Sequence, residues 1–350
     1  MPLELHPDLV DALSNQGIAA LWDHQAECWN VSRRSRHFIV TTGTASGKSL
    51  CFNLPVLDEL LREPRARALY LYPTKALAQD QLRRIRALAG SKIEVFSYDG
   101  DTPAAARKLA RQKARILLTN PDMINVSILP RHERWDDFLD NLKYVVIDEA
   151  HTYRGVFGSN VANVLRRLRR VASFYGSRPK FILASATISN ARQHAMNLTG
   201  LKIAHVDNDT APSGPRQIVF WQPPMAHDEL NIRRSASSEA ASLLTELIRK
   251  GIRSICFTKS RRAAELVYQQ CVGILKQSDP RLCDRLSPYR AGYTPEQRRA
   301  IEAKLFNGQL LAVVSTSALE LGIDIGALDA SITLGYPGTV ASLWQQWGRA

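Results

Sequence analysis

The chain has 350 residues, 45% hydrophobic and 23% charged, with a formal net charge of +13. Its length suggests two domains, and its apolar content can furnish a core for each. The basic excess favours a polyanionic partner, a nucleic-acid backbone ahead of an acidic membrane surface.

Cysteines stand at 28, 51, 256, 271 and 283, and no pair has the C-x-x-C spacing of a zinc knuckle or redox site. Cys51 and Cys256 read as small core residues, and reduced thiols fit a cytosolic protein. The opening MPLELHPDLVDAL carries acids and no apolar leader region, and no run approaches the ~18 residues of a membrane span. The expectation is a soluble, cytoplasmic protein with no membrane partner.

Short apolar, β-branched runs recur along the first part of the chain: HFIVTT (37–42), ALYLY (68–72), IEVFS (93–97), ILLT (116–119), YVVID (144–148) and FILAS (181–185). They read as buried parallel strands, separated by amphipathic stretches such as SLCFNLPVLDELLRE and TKALAQDQLRRIRALA. Such alternation predicts a doubly wound α/β sheet. Around 207–217 the sequence DNDTAPSGPRQ turns polar and rich in Pro and Gly, as a linker does. A second α/β series follows: QIVFW (217–221), SICFT (254–258), LAVVST (311–316) and ASITL (330–334). The expected division is therefore 1–206, a linker at 207–217, and 218–350.

TTGTASGKS (41–49) follows one strand and precedes a helix, the context of a phosphate-binding loop. Thr42, Gly43, Thr44, Ala45, Ser46 and Gly47 would cradle phosphate, the two glycines allowing tight turning and close approach of N–H groups. Lys48 would reach the β- and γ-phosphates, and Ser49 would ligate Mg²⁺. Thr42 stands where the general pattern has Gly. The plainer reading is a Gly-rich strand-to-helix turn with an incidental lysine. Asp148 and Glu149 end the run YVVIDEAH, at the strand edge where α/β sheets hold ligands. Asp148 suits a Mg²⁺ ligand and Glu149 the group that positions the attacking water. His151 could be a surface histidine. ATP and Mg²⁺ are the expected cofactors.

TGTASGKS, DEAH and SAT (185–187) resemble motifs I, II and III of superfamily 2 DEAD/DEAH-box helicases. The resemblance covers most of the chain. WDHQAE (22–27) looks like the adenine-reading Q motif, YPTKALAQDQ (72–81) like motif Ia and TNPDM (119–123) like motif Ib. FTKSRRAAE (257–265) resembles motif IV, STSALELGIDI (315–325) motif V and QQWGRA (345–350) the start of motif VI. DEAHTYRGVFGSNVA with YRAGY (289–293) is similar to the MrfA (YprA-like) group, DNA-repair helicases that move 3′ to 5′.

This likeness implies two tandem RecA-like domains with mainly parallel sheets, the second incomplete. It assigns adenine to Gln25 and coupling of the γ-phosphate to Ser185, Thr187 and His151. Gly322 and Asp324 would face the nucleotide, and Arg349 would join the catalytic set. Thr74, Lys75, Thr119 and Asp122 would follow one nucleic-acid strand, as would Thr258, Ser260, Arg261 and Thr316. Thr74 and Thr119 could instead cap helices, Trp22 could stack on adenine or pack in the core, and LRRLRRV (165–171) reads as a solvated face.

The motif VI pattern places a second arginine beyond Ala350, so the chain is expected to be cut within that motif. A missing arginine finger of the usual ~10³–10⁵ effect would leave it binding ATP but hydrolysing it poorly. The implied activity is ATP-driven movement along nucleic acid, single-stranded DNA above all. The rivals are an RNA helicase, a double-strand translocase and a nucleotide-dependent clamp without turnover.

Overall fold

Strands buried on both faces must alternate which side each residue serves, and the two apolar clusters of the first unit divide along that line. This computed structural model describes residues 2, 4–34, 37–186, 188–212, 214–227, 232–290, 292–322 and 325–350, in two units, Met1–Pro212 and Ser213–Ala350.

In the first unit, strands β1 (Phe38–Thr41), β2 (Arg67–Leu71), β3 (Val95–Ser97), β4 (Ile116–Thr119), β5 (Leu142–Ile147), β6 (Lys180–Ser185) and β7 (Ala204–Val206) form one parallel sheet in the order β3-β4-β2-β5-β6-β1-β7. Phe38, Val40, Tyr70, Val146 and Ile182 point to one face. There they meet α1 (Pro7–Asn15), α2 (Asp23–Arg34), α3 (Lys48–Arg62) and α4 (Lys75–Ala89). Their neighbours Ile39, Leu69, Val145, Ile147 and Phe181 point to the other. That face is covered by α5 (Ala104–Lys113), the short α6 (Pro121–Met123) and α7 (Asp136–Asp140), α8 (Gly155–Phe174) and α9 (Ala191–Thr199). Each such side chain contributes about 1.5–3 kcal/mol by leaving water, so both helical layers are tightly held.

The second unit opens with an antiparallel pair, β8 (Met225–His227) and β9 (Ile232–Arg233). Then come α10 (Ala236–Arg249), β10 (Ser254–Phe257), α11 (Arg261–Ser278), β11 (Leu286–Tyr289), α12 (Pro295–Phe306), β12 (Ala312–Ser315), β13 (Ala330–Thr333) and α13 (Val340–Trp347). Its parallel sheet runs β11-β12-β10-β13.

One expected strand is absent. QIVFW (217–221) forms no strand, and Ile218, Val219, Phe220 and Trp221 are exposed. An apolar run becomes a strand only where a neighbour offers a hydrogen-bonding edge, and among the described residues none pairs with it. Its aromatics find other partners: Phe220 lies against Trp347 at 6.3 Å between ring centroids, and Trp221 Nε1 donates to Glu239 at 3.2 Å. Four strands among the described residues lie outside the predicted runs: the short pair β8 and β9, β7 and β11. β7 has three residues, and β11 contains Pro288, tolerated because β11 is an edge strand. Among the described residues no helix is long and apolar enough to cross a membrane.

Candidate functional site

In parallel α/β sheets ligands gather at the carboxyl ends of the strands. β5, β6 and β1 are neighbours, so the residues that follow them, 148–151, 185–186 and 42–49, share one edge.

The loop after β1 is shaped by two left-handed residues, Ala45 (φ 59°) and Gly47 (φ 69°), which turn its backbone into a concave anion cradle. Gly47 is required twice over: a Cβ there would lie 2.5 Å from Gln25 Nε2 and 3.0 Å from Trp22. Thr42 acts as a brace. Its hydroxyl lies 2.5 Å from Ser46 Oγ, which itself donates to Gly43 O at 2.8 Å. Lys48 begins α3 and donates through Nζ to Thr42 O at 2.7 Å and to Gly43 O. Burial holds its pKa below the ordinary lysine value, against the pull of Glu149, Asp148 and Asp209. Ser49 follows in the first turn, and Thr44 is half-buried.

Asp148 is buried, and burial together with Glu149 pushes its carboxyl up to about 7, against the Glu149 N–H and Lys48. Its Oδ1 accepts that N–H at 2.8 Å. Such a carboxylate, beside a second acid and a lysine, is the donor that a hard divalent cation satisfies. Asp148 and the Ser49 hydroxyl are the kinds of oxygen donor that would hold Mg²⁺, which takes one or two protein oxygens and completes its shell with phosphate and water. Glu149 has φ 50°, a left-handed conformation costing a side-chain-bearing residue ~1–3 kcal/mol.

His151 is no simple surface histidine. Its Nδ1 lies 3.3 Å from both Ser185 Oγ and Ala186 N, and 3.5 Å from Glu149 Oε2. A backbone N–H can only donate, so Nδ1 accepts and Nε2 carries the proton; the Glu149 approach is then not a hydrogen bond. The acidic motif and the SAT motif meet through this ring. Thr187 lies outside the described residues.

Three residues of this edge had no place in the sequence-based set. His24 is fully buried; its Nε2 donates to Ser46 O at 2.9 Å, and Thr210 Oγ1 lies 3.1 Å from both its backbone N and its Nδ1. Asp209 Oδ2 accepts the Gly43 N–H at 2.6 Å. His24 could have been suspected beside Gln25. Asp209 and Thr210 sit in a stretch that reads as linker, and nothing local marks them. Gln25 itself is buried, with Oε1 accepting from Trp22 N at 3.1 Å and Nε2 donating to Gly47 O at 3.2 Å. Its amide braces the loop.

The strand-facing candidates divide. Thr74 is exposed and caps α4 by accepting from Leu77 N at 3.3 Å; Lys75 is exposed and pairs with Asp101 at 2.7 Å. Asp122 is exposed. Thr119 is buried and donates to Tyr98 O at 2.6 Å, so its hydroxyl is engaged inside the fold. In the second unit Thr258 is likewise buried, donating to Ser260 O and Ser315 O at 3.2 and 3.3 Å. Ser260 caps α11, Arg261 is exposed, and Thr316 follows β12, beside the end of β10. Gly322 is exposed and Asp324 lies outside the described residues. Arg349 donates to Glu320 O at 3.0 Å and to Leu321 O, joining the motif V and motif VI segments.

Residues 22–195 match the DEAD/DEAH box helicase family, and residues 239–350 the helicase conserved C-terminal domain. The chain is 46% identical over 353 residues to the uncharacterized ATP-dependent helicase YprA of Bacillus subtilis, covering 100% of this chain and 47% of that protein. It is 41% identical over 358 residues to the ATP-dependent helicase hrq1 of Schizosaccharomyces pombe, covering 99% and 34%. Crystal structures of the DUF1998 helicase MrfA bound to DNA, one of them also with AMPPNP, match with TM-scores of 0.95 and 0.94 at 46% identity. They cover 100% of this chain and 47% and 49% of theirs. The chain thus spans about half the length of these relatives, or less. It belongs to the superfamily 2 DEAD/DEAH-box helicases, its two units being their RecA-like domains.

Proposed function

We propose that the chain is the motor core of a 3′-to-5′ DNA helicase acting in DNA repair, coupling ATP hydrolysis to movement along one strand. The observation that carries the catalytic part is the convergence of a half-buried lysine and two adjacent acids on one strand edge, Lys48 with Asp148 and Glu149. Lys48 and the N–H groups of the loop bind the triphosphate. Mg²⁺ held by Ser49 and Asp148 would neutralise phosphate charge as the terminal bond breaks. Glu149 orients the attacking water and takes its proton, while His151 ties that acid's segment to the strand end at Ser185. Exposed Thr74 and Lys75 offer contacts to a nucleic-acid backbone from the first unit, and Ser260 and Arg261 from the second. DNA as substrate is supported by the DNA-bound MrfA structures; polarity and the repair role rest on resemblance to that group.

Glu149→Gln is the discriminating variant. It should retain ATP and bind a DNA strand more tightly in its presence, whereas Lys48→Ala should lose ATP binding. A chain in which Glu149→Gln changes neither is a clamp without turnover. Strand displacement from 3′-tailed but not 5′-tailed duplexes by a full-length protein carrying this core checks polarity.

A further inference from the structure

The motor chemistry leaves one group of charges unused. α8 carries Arg166, Arg167, Arg169 and Arg170, and Arg178 stands just before β6. In sequence they read as a solvated face. The structure instead gathers all five around a cavity of about 930 Å³ that, among the described residues, no carboxylate lines. Three have work inside the fold. Arg166 and Arg169 donate to Asn197 O at 3.2 Å and Thr199 O at 2.9 Å, satisfying carbonyls at the end of α9, and Arg167 donates to Asn125 Oδ1 at 2.7 Å. Arg170 and Arg178 are exposed, with no hydrogen-bond or ion-pair partner among the described residues. Five like charges around one concavity repel each other unless an anion enters.

The cavity lies away from the nucleotide edge. His37 and Leu201, which also line it, precede β1 and β7, and Arg178 precedes β6, so it opens at the amino ends of strands whose carboxyl ends carry Lys48 and Ser185. At about 3.3 Å per residue, β1 alone separates the two edges by roughly 13 Å.

We propose that this cavity is a second nucleic-acid contact, which takes the phosphodiester backbone of a segment outside the strand gripped by the motor. The guanidinium fork matches phosphate oxygens in pairs. The five guanidiniums that line the cavity carry more positive charge than a single phosphate, at about −2, can neutralise, so a ligand that matches them must present more than one phosphate. A nucleic-acid backbone does so and inorganic phosphate does not. The inference does not rest on the motor reading, because the site lies at the opposite edge of the sheet.

The test compares the full chain with R170E/R178E and R170K/R178K. Affinities for a tailed DNA duplex and for a short single strand are measured across salt, with ATP binding as the control for folding. Charge reversal should weaken duplex binding by about tenfold or more at low salt and lower its log–log salt slope by roughly 2, near 0.9 for each phosphate no longer neutralised. Short-strand and ATP binding should stay within about twofold, and the lysine pair should keep the wild-type slope, since point charges release counterions equally. An unchanged slope in R170E/R178E overturns the proposal while leaving the motor reading intact. Inorganic phosphate that displaces duplex from the wild type at matched ionic strength assigns the cavity to free phosphate and overturns it too. A wild type that binds no nucleic acid sinks both readings.

Discussion

His24 and Asp209 show how much of the phosphate loop is held from outside it. With His24→Ala, Ser46 O loses its buried donor and Thr210 Oγ1 its contact with the ring, keeping only the backbone N–H of residue 24, a change of about 1–3 kcal/mol. If half of that falls on the loop's binding shape, the Kd for ATP should rise by about two- to tenfold. His24→Gln, which can still donate to Ser46 O, should recover most of the affinity; equal losses of affinity in both variants at equal melting temperature would refute the bracing role. Asp209 acts with the opposite sign. Its carboxylate sits on a loop N–H where phosphate charge must come, and it is felt by Lys48. Asp209→Asn keeps an acceptor and removes the charge, so ATP should bind about two- to fivefold more tightly at low salt. The gain should shrink as salt screens it.

At the scale of elements, a helix start gives a candidate threonine a structural part beside its proposed contact. Thr74 caps α4, so Thr74→Ala should cost about 1 kcal/mol, measured by denaturant unfolding, and Thr74→Ser almost nothing. A Thr74→Ala chain of wild-type stability would show the cap to be idle. Most central strands were legible because apolar runs between amphipathic helices have few other uses. The exceptions obey one rule: β7 and β11 are short or proline-containing edge strands, β8 and β9 are a short pair with only each other as neighbours, and the apolar QIVFW run has no sheet edge to join. Edges depend on what lies beside them, which no local window reports.

For the first unit as a body, the sheet's two covered faces make a prediction about alkali. Tyr70, Tyr72, Tyr144 and Tyr153 are all buried, and burial, the largest cause in each, holds their phenols above the ordinary value near 10. Unfolding releases those protons near pH 10, while the folded unit keeps them. Stability from these groups is therefore fully present below pH 10. It is lost at roughly 1.4 kcal/mol per pH unit for each phenol as pH rises beyond that. Their tyrosinate absorbance should appear together with loss of secondary structure; smooth titration of all ten tyrosines in a folded chain would contradict it.

Sequence by itself determined the α/β class, the positions of the central strands, the phosphate loop and the DEAH acids. These depend on residue types at fixed spacing along one element or one turn. Tertiary structure decided the rest. It turned Thr119 and Thr258 inward, drew Asp209 and Thr210 out of an apparent linker onto the loop, and buried His24 as a strut. It also collected arginines from α8 and the β6 approach around one cavity. Each of these outcomes depends on which segments pack side by side, and that proximity is set by the order of strands in the sheet, not by distance along the chain.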